Sequence, residues 1–260
     1  MKIPLFQVDA FTNSVFGGNP AAVCPLESWL DNDTLQKIAA ENNLSETAFF
    51  VKTGAEYELK WFTPKVEVNL CGHATLATAH VLFQYLNFSG EEIRFTTMSG
   101  QLRVKREKNL LVLDFPASPA EPLTVAPHDL PEGLGKSPLE IHKSRDILAL
   151  FETQQDILDL EPDFGLLKRL DCLGIIVTAP GEKADFVSRF FAPRAGINED
   201  PVTGSAHTTL IPFWSQRLNK QEMLAFQLSE RKGELFCRDM GERVEIAGRA
   251  VLYLTGEISI

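Results

Sequence analysis

Short segments of the first half of the chain recur in the second half, in the same order. Trp61-Phe62-Thr63-Pro64-Lys65 returns as Phe190-Phe191-Ala192-Pro193-Arg194, and Cys71-Gly72-His73-Ala74 as Thr203-Gly204-Ser205-Ala206. Ser99-Gly100-Gln101-Leu102 returns as Lys232-Gly233-Glu234-Leu235, and upstream Glu46-Thr47-Ala48-Phe49-Phe50-Val51 lines up with Cys172-Leu173-Gly174-Ile175-Ile176-Val177. The offsets of 126, 129, 132 and 133 grow along the chain, as loop insertions require. Such a period means two copies of one structural unit. Each copy holds ~130 residues, an ordinary domain size.

Each copy carries a stretch that further limits the fold. Val68 to Gly90 contains no Asp, Glu, Lys or Arg, and neither does Pro201 to Gln216. A helix over Ala74–Leu86 has no charged face, so it must be covered on all sides. Its counterpart, Ala206–Trp214, contains Pro212, which should kink or shorten it. Around them the pattern reads as strands. Leu5 to Phe11 alternates apolar and polar, and Thr47–Lys52, Tyr57–Phe62, Gly100–Val104 and Leu110–Phe115 follow. A helix capped by Asp31 or Asp33 runs to about Asn42, with Leu35, Ile38 and Ala39 on one face. The expected fold is α+β: two similar domains, each a curved, barrel-like sheet around a central helix, related by a pseudo-twofold repeat. The units are placed at 1–115 and 141–260, with the last strand able to return to the first unit. A Pro-rich linker is placed at 116–140, where Pro116, Pro119, Pro122, Pro127 and Pro131 break regular structure.

Composition narrows the function. With 25 Lys and Arg against 35 Asp and Glu, the formal net charge is −10. That field repels a phosphate backbone, and with no basic patch in the sequence no nucleic-acid partner is expected. Asn69, Gly72, His73, His80, Gln84 and Asn87 interrupt the uncharged stretch, so it is not expected to span a membrane. Asp9 breaks the N-terminal apolar run before a leader could form. Cys24, Cys71, Cys172 and Cys237 lie far apart without zinc-ribbon spacing, which reads as reduced thiols in a cytoplasmic protein.

The chemistry is expected where the two central helices begin. Unpaired amides and the helix dipole make Cys71-Gly72-His73 and Thr203-Gly204-Ser205 ready anion sites, and two such ends across an interdomain cleft would hold a small carboxylate. The same glycines also suit a plain helix start. Glu46 follows Asn43-Leu44-Ser45 at the start of a buried-looking strand, where a partly desolvated carboxylate suits general acid/base work; an exposed loop glutamate fits the spacing too. The dipole should lower the pKa of His73 and favour neutral imidazole, whether as a proton-transfer group or as a cap. Asp200 precedes Pro201, so it can face the site or close an Asx turn. His80 is expected to be a hydrogen-bonded core histidine. Cys71 and His73 with His80 make a poor zinc site, since His80 lies about two turns deeper. Gly204-Ser205-Ala206-His207 lacks the elbow of a serine hydrolase.

Gly18-Asn19-Pro20, Asn43-Leu44-Ser45-Glu46, Phe62-Thr63-Pro64, Gly72-His73-Ala74 and Glu199-Asp200-Pro201-Val202-Thr203-Gly204-Ser205-Ala206 together resemble the phenazine-biosynthesis-like (PhzF-like) isomerases, in that family's order over nearly the whole chain. The resemblance implies the fold of diaminopimelate epimerase and proline racemase. It also implies a cofactor-free isomerase in which Glu46 takes a proton from one carbon and returns it to another. His73 and Asp200 match the other polar active-site residues. Ser45, Gly72, Gly204 and Ser205, with Asn19 and Cys71, match positions around a small anionic substrate. No metal is implied, and a homodimer is. Epimerases of the wider fold use two thiols, but the repeat sets Thr203 opposite Cys71, which argues against that mechanism. A one-thiol racemase using Cys71, and a metabolite-binding protein with a vestigial site, are the rival readings.

Overall fold

The alternating N-terminal segment forms Lys2–Ala10 (β1) in the computed structural model, which describes residues 1–260. The chain divides into two units, Met1–Asp114 with Ala247–Ile260, and Phe115–Ile246. In the first, β1 pairs antiparallel with Asn19–Leu26 (β2), and β2 parallel with Glu46–Thr53 (β3). Between them Asn32–Asn42 (α1) starts at Asp31, whose carboxylate accepts the Thr34 N–H. Leu35, Ile38 and Ala39 of α1 pack on Phe49 and Phe62. Glu56–Phe62 (β4) pairs antiparallel with β3, and the two-residue strand Glu67–Val68 (β5) folds back on it. The uncharged stretch becomes Gly72–Gln84 (α2), beginning two residues before the expected start. All of α2 is buried except His80 and Gln84, against β1, β2 and β3. Its buried Thr75 and Thr78 donate their hydroxyls to the carbonyls of Cys71 and Ala74, so neither hydroxyl is orphaned inside the unit. Glu92–Thr97 (β6) then pairs parallel with β4, and Gly100–Glu107 (β7) and Leu110–Pro116 (β8) follow antiparallel.

The second unit repeats the plan. Glu121–Pro122 (β9) pairs with Glu140–Lys143 (β10), and Asp129–Leu134 (α3) lies between them. The Pro-rich passage is therefore not a free linker. Leu130 and Leu134 of α3 sit in one apolar cluster with Ile147, Ile157 and Phe191, and Pro131 is tolerated because it lies in the first turn. Next come Ile147–Leu150 (β11), Gln154–Leu158 (α4), Phe164–Leu167 (α5), Ile175–Pro180 (β12), Phe186–Phe191 (β13), Gly204–Leu218 (α6), Glu222–Gln227 (β14), Gly233–Asp239 (β15) and Arg243–Gly248 (β16). From β10 to β15 the pairings run antiparallel, parallel, antiparallel, parallel, antiparallel. The run from β1 to β7 is the same. This confirms the internal repeat.

The register corrects one match. Thr47 faces Phe62, and Ile175 faces Phe191, so the counterpart of Glu46 is Gly174 rather than Cys172. Pro212 does not shorten α6, which runs on to Leu218. The carbonyl that proline leaves without its helical donor, that of Thr208, accepts the Ser118 N–H instead at 3.0 Å. The last strand, Ala250–Ser259 (β17), pairs antiparallel with β1 from Ala10 to Lys2 and so belongs to the first unit. All four cysteines are buried and free. No helix is long and apolar enough to cross a membrane.

Candidate active site

β2 begins at Asn19 and β3 at Glu46, and their parallel register sets Ala21 opposite Glu46. The turn into β2 requires glycine: Gly18 has φ of +61°, and a Cβ there would lie 2.0 Å from the Ala10 carbonyl oxygen. The N-terminus of α2 brings Cys71 and His73 to the same strand ends. His73 is the hub. Its Nδ1 lies 3.1 Å from Asn19 Nδ2 and 3.5 Å from Cys71 Sγ, and its Nε2 lies 3.0 Å from Glu46 Oε2. Glu46, His73 and Cys71 are only 8 %, 4 % and 7 % exposed. Glu46 Oε2 is off line for a hydrogen bond and has no hydrogen-bond partner. A buried oxygen with unused acceptor capacity is costly unless a ligand completes it.

Burial alone would keep His73 neutral, and the helix dipole works in the same direction. The Glu46 charge 3.0 Å from the ring, with the side-chain contacts to Glu46 and Cys71, outweighs both, and its pKa moves well up. The expected lowering is thus overturned. The Cys71 thiol moves the other way from reactivity. Burial first, and the Glu46 charge second, push it up to about 11, so it is a thiol at neutral pH. α2 has no side-chain cap, which leaves its first-turn amides available to an anion. Gly72 is buried in that turn and Ser45 is half-buried beside Glu46.

In the second unit, Asp200, Gly204 and Ser205 gather at the start of α6, where the loop is pinned from several sides. Threonine is a good N-cap, yet the Thr203 hydroxyl donates to Asp200 Oδ2 and leaves α6 uncapped as well. Gln227, fully buried on β14, accepts the Thr203 N–H at 2.8 Å and donates to the Asp200 carbonyl at 2.8 Å. Ser229 donates to the Pro201 carbonyl, and the Asp200 N–H donates to Phe190. Glu199 is held by Arg189 in a two-pronged pair at 2.8 and 2.9 Å. Gly233 lets this loop sit close, since a Cβ there would meet Val202 at 2.3 Å.

The structure therefore brings Asn19, Glu46, Cys71 and His73 together in one unit, with Asp200, Gly204 and Ser205 together in the other. Asn19, expected beside the substrate, reaches His73. His80 is not the satisfied core residue expected: its Nε2 has no partner, it is part-exposed against Tyr85, and burial pulls its pKa down to about 4. Gln227 escaped the sequence reading, though Met223, Ala225 and Gln227 alternate inward and a polar residue in that phase marks a buried hydrogen-bonding role.

The sequence matches the profile of the phenazine biosynthesis-like protein family over residues 8–256. The chain belongs to that family. An uncharacterized isomerase of Pseudomonas aeruginosa is 53 % identical over the full length of both chains. The crystal structure of a PhzF-family phenazine biosynthesis protein from Enterococcus faecalis superimposes with a TM-score of 0.97 at 48 % identity, each chain covered completely. A hydroxyproline epimerase from Agrobacterium vitis, 11 % identical with a TM-score of 0.65 over 99 % of this chain and 92 % of its own, shares the fold. The enzyme class this family membership gives the chain is isomerase.

Proposed function

We propose that the protein is a cofactor-independent isomerase of a small carboxylated metabolite, working by general acid/base proton transfer. Glu46 is the acid/base. His73 is its ionic partner and orients it, and the uncapped amides around Gly72 hold the substrate carboxylate. Asp200 serves as the second polar catalytic group, with Ser45, Ser205, Cys71 and Asn19 lining or supporting the substrate. The observation that carries this reading is the buried Glu46 oxygen beside His73 with no hydrogen bond of its own. A proton on a substrate carbon would complete it. The test is solvent deuterium incorporation across a panel of small unsaturated, hydroxy and amino carboxylic acids, read by mass spectrometry. Full exchange by Glu46→Gln on a substrate the wild type labels would refute the role of Glu46.

Cys71 Sγ at 3.5 Å from His73 favours a second reading, a one-thiol racemase or epimerase. A thiol held up at about 11 is a poor base, so the carboxylate reading leads. Exchange retained in Cys71→Ala separates the two. The same proposal takes the protein to be a cytoplasmic homodimer by family resemblance, and light scattering checks the dimer.

A further inference from the structure

We propose that Glu46, Cys71 and His73 also form a site for a thiophilic divalent cation of the zinc type, and that the bound ion blocks proton transfer there. Sulfur, imidazole nitrogen and carboxylate oxygen lie within 4.8 Å of one another in a buried cluster. Cys71 Sγ is 4.0 Å from His73 Nε2, and Nε2 is 3.0 Å from Glu46 Oε2. Ligands around tetrahedral zinc, at ~2.0–2.3 Å from the metal, stand about 3.4–3.6 Å from each other. The observed separations bracket that spacing, so small side-chain rotations bring all three onto one ion. Three protein ligands leave the fourth position to water.

The surroundings suit such an ion. Glu46 Oε2 has no hydrogen bond to give up when it becomes a ligand. With Nε2 on the metal, Nδ1 keeps its hydrogen and faces the Asn19 amide 3.1 Å away, which accepts through its oxygen once turned. Thiolate and carboxylate together balance a doubly charged cation, offsetting the unfavourable helix dipole. The Glu46 side chain is 11 % exposed, a way in for the ion. On binding, the Cys71 thiol proton and any Nε2 proton pass to solvent, the S–H and N–H bonds are replaced by bonds from sulfur and Nε2 to the ion beside the carboxylate bond, and no electron is transferred. This trio differs from the Cys71, His73 and His80 set, because Glu46 comes from a neighbouring strand and lies at the helix mouth.

The blocking effect rests on the proton-transfer reading above, whereas binding is measured without turnover. The full chain, reduced and free of chelator, is titrated with cobalt(II) chloride and read by the thiolate-to-cobalt charge-transfer band in the near ultraviolet. The expected result is one cobalt per chain, displaced by zinc chloride, with the band absent in Cys71→Ala and unchanged in Cys172→Ala. Binding should weaken at least tenfold in Glu46→Gln. No band in the wild type, or a band that survives in Cys71→Ala, overturns the site. So does a zinc-saturated wild type that exchanges substrate label at its full rate. A metal-free wild type that exchanges no substrate label, while the cobalt-loaded protein shows the band, breaks the proposed function and leaves the metal site standing.

Discussion

The mouths of α2 and α6 share a backbone and differ in chemistry. Both helices begin at glycine, both lack a side-chain cap, and both follow a residue in extended conformation. Around α2 stand a thiol, an imidazole and a carboxylate, three groups that bind or release protons. Around α6 the matching positions carry Thr203 and Ser205, and Gly174 stands where Glu46 stands in the first unit. A side chain at Gly174 would strike the Phe190 ring 2.1 Å away, so that copy has no room for a carboxylate. The acid it does have, Asp200, is fixed by Thr203 with its loop tied to Gln227. The repeated unit preserves what the fold needs, namely strand pairings and an open helix end. On the proposed reading, proton chemistry needs only one copy, and the other holds its loop in place.

The sharpest way to break this contrast is at Glu46. Glu46→Gln keeps the shape and removes the titrating group, so exchange should fall ~10²- to 10⁴-fold while far-ultraviolet circular dichroism stays that of the wild type. Asp200→Asn should cost less if the second mouth positions rather than transfers; an equal loss would show that both mouths carry protons.

Gln227 comes next. Gln227→Met leaves the Thr203 N–H and the Asp200 carbonyl without their buried partner, at a cost of roughly 2–4 kcal/mol. Urea denaturation reads that cost. If the second mouth is held still by this residue, substrate affinity should fall more than turnover.

How much of this was legible beforehand follows from which interactions are local. The repeat, the buried helix after Leu70 and the cluster of Glu46 with His73 show in the sequence, because periodicity, missing charge and short motifs are written in neighbouring residues. Three things were not legible. The true counterpart of Glu46 depends on strand register, which a weak six-residue match misplaces by two residues. The direction of the His73 pKa depends on a carboxylate 27 positions away that folding sets 3.0 Å from the ring. The Pro-rich passage reads as a linker because proline lacks a donor, yet β9 and α3 use the carbonyls and apolar residues that proline leaves free.

The histidines of the two helices offer a smaller contrast, opposite in sign. His207 is fully buried with Nδ1 on the Thr203 carbonyl at 2.8 Å, and burial pulls its pKa from 6.5 to about 4. The unfolded chain then binds the proton the folded chain refuses. His207 therefore adds stability above pH ~6.5 that is lost as pH falls toward 4, ~3 kcal/mol at most. His73, shifted up, adds stability that is present below pH ~6.5 and lost as pH rises through its folded pKa. Stability against pH, measured by urea midpoints, should lose part of its acid-side slope in His207→Gln, the rest being that of His80, and should lose alkaline-side slope in His73→Gln. Slopes changing in the same direction would mean the two mouths are electrostatically alike.

The smallest effect lies deep in the helices, where Pro212 of α6 takes the place that His80 has in α2. On helix propensity alone, Pro212→Ala should gain ~3 kcal/mol. The expected gain is under ~1 kcal/mol, because the penalty for proline is mostly a carbonyl left without its donor, and the Thr208 carbonyl already has the Ser118 N–H. The restored amide can share that oxygen, which has two lone pairs, so it adds a second bond where one was already made. If Pro212→Ala instead gains the full amount, the Ser118 contact does little, and this loop-to-helix tie is not what lets α6 run on past Pro212. Ser118→Pro, which deletes the compensating donor while Pro212 remains, should then be silent; with the tie in force it costs about 1–3 kcal/mol.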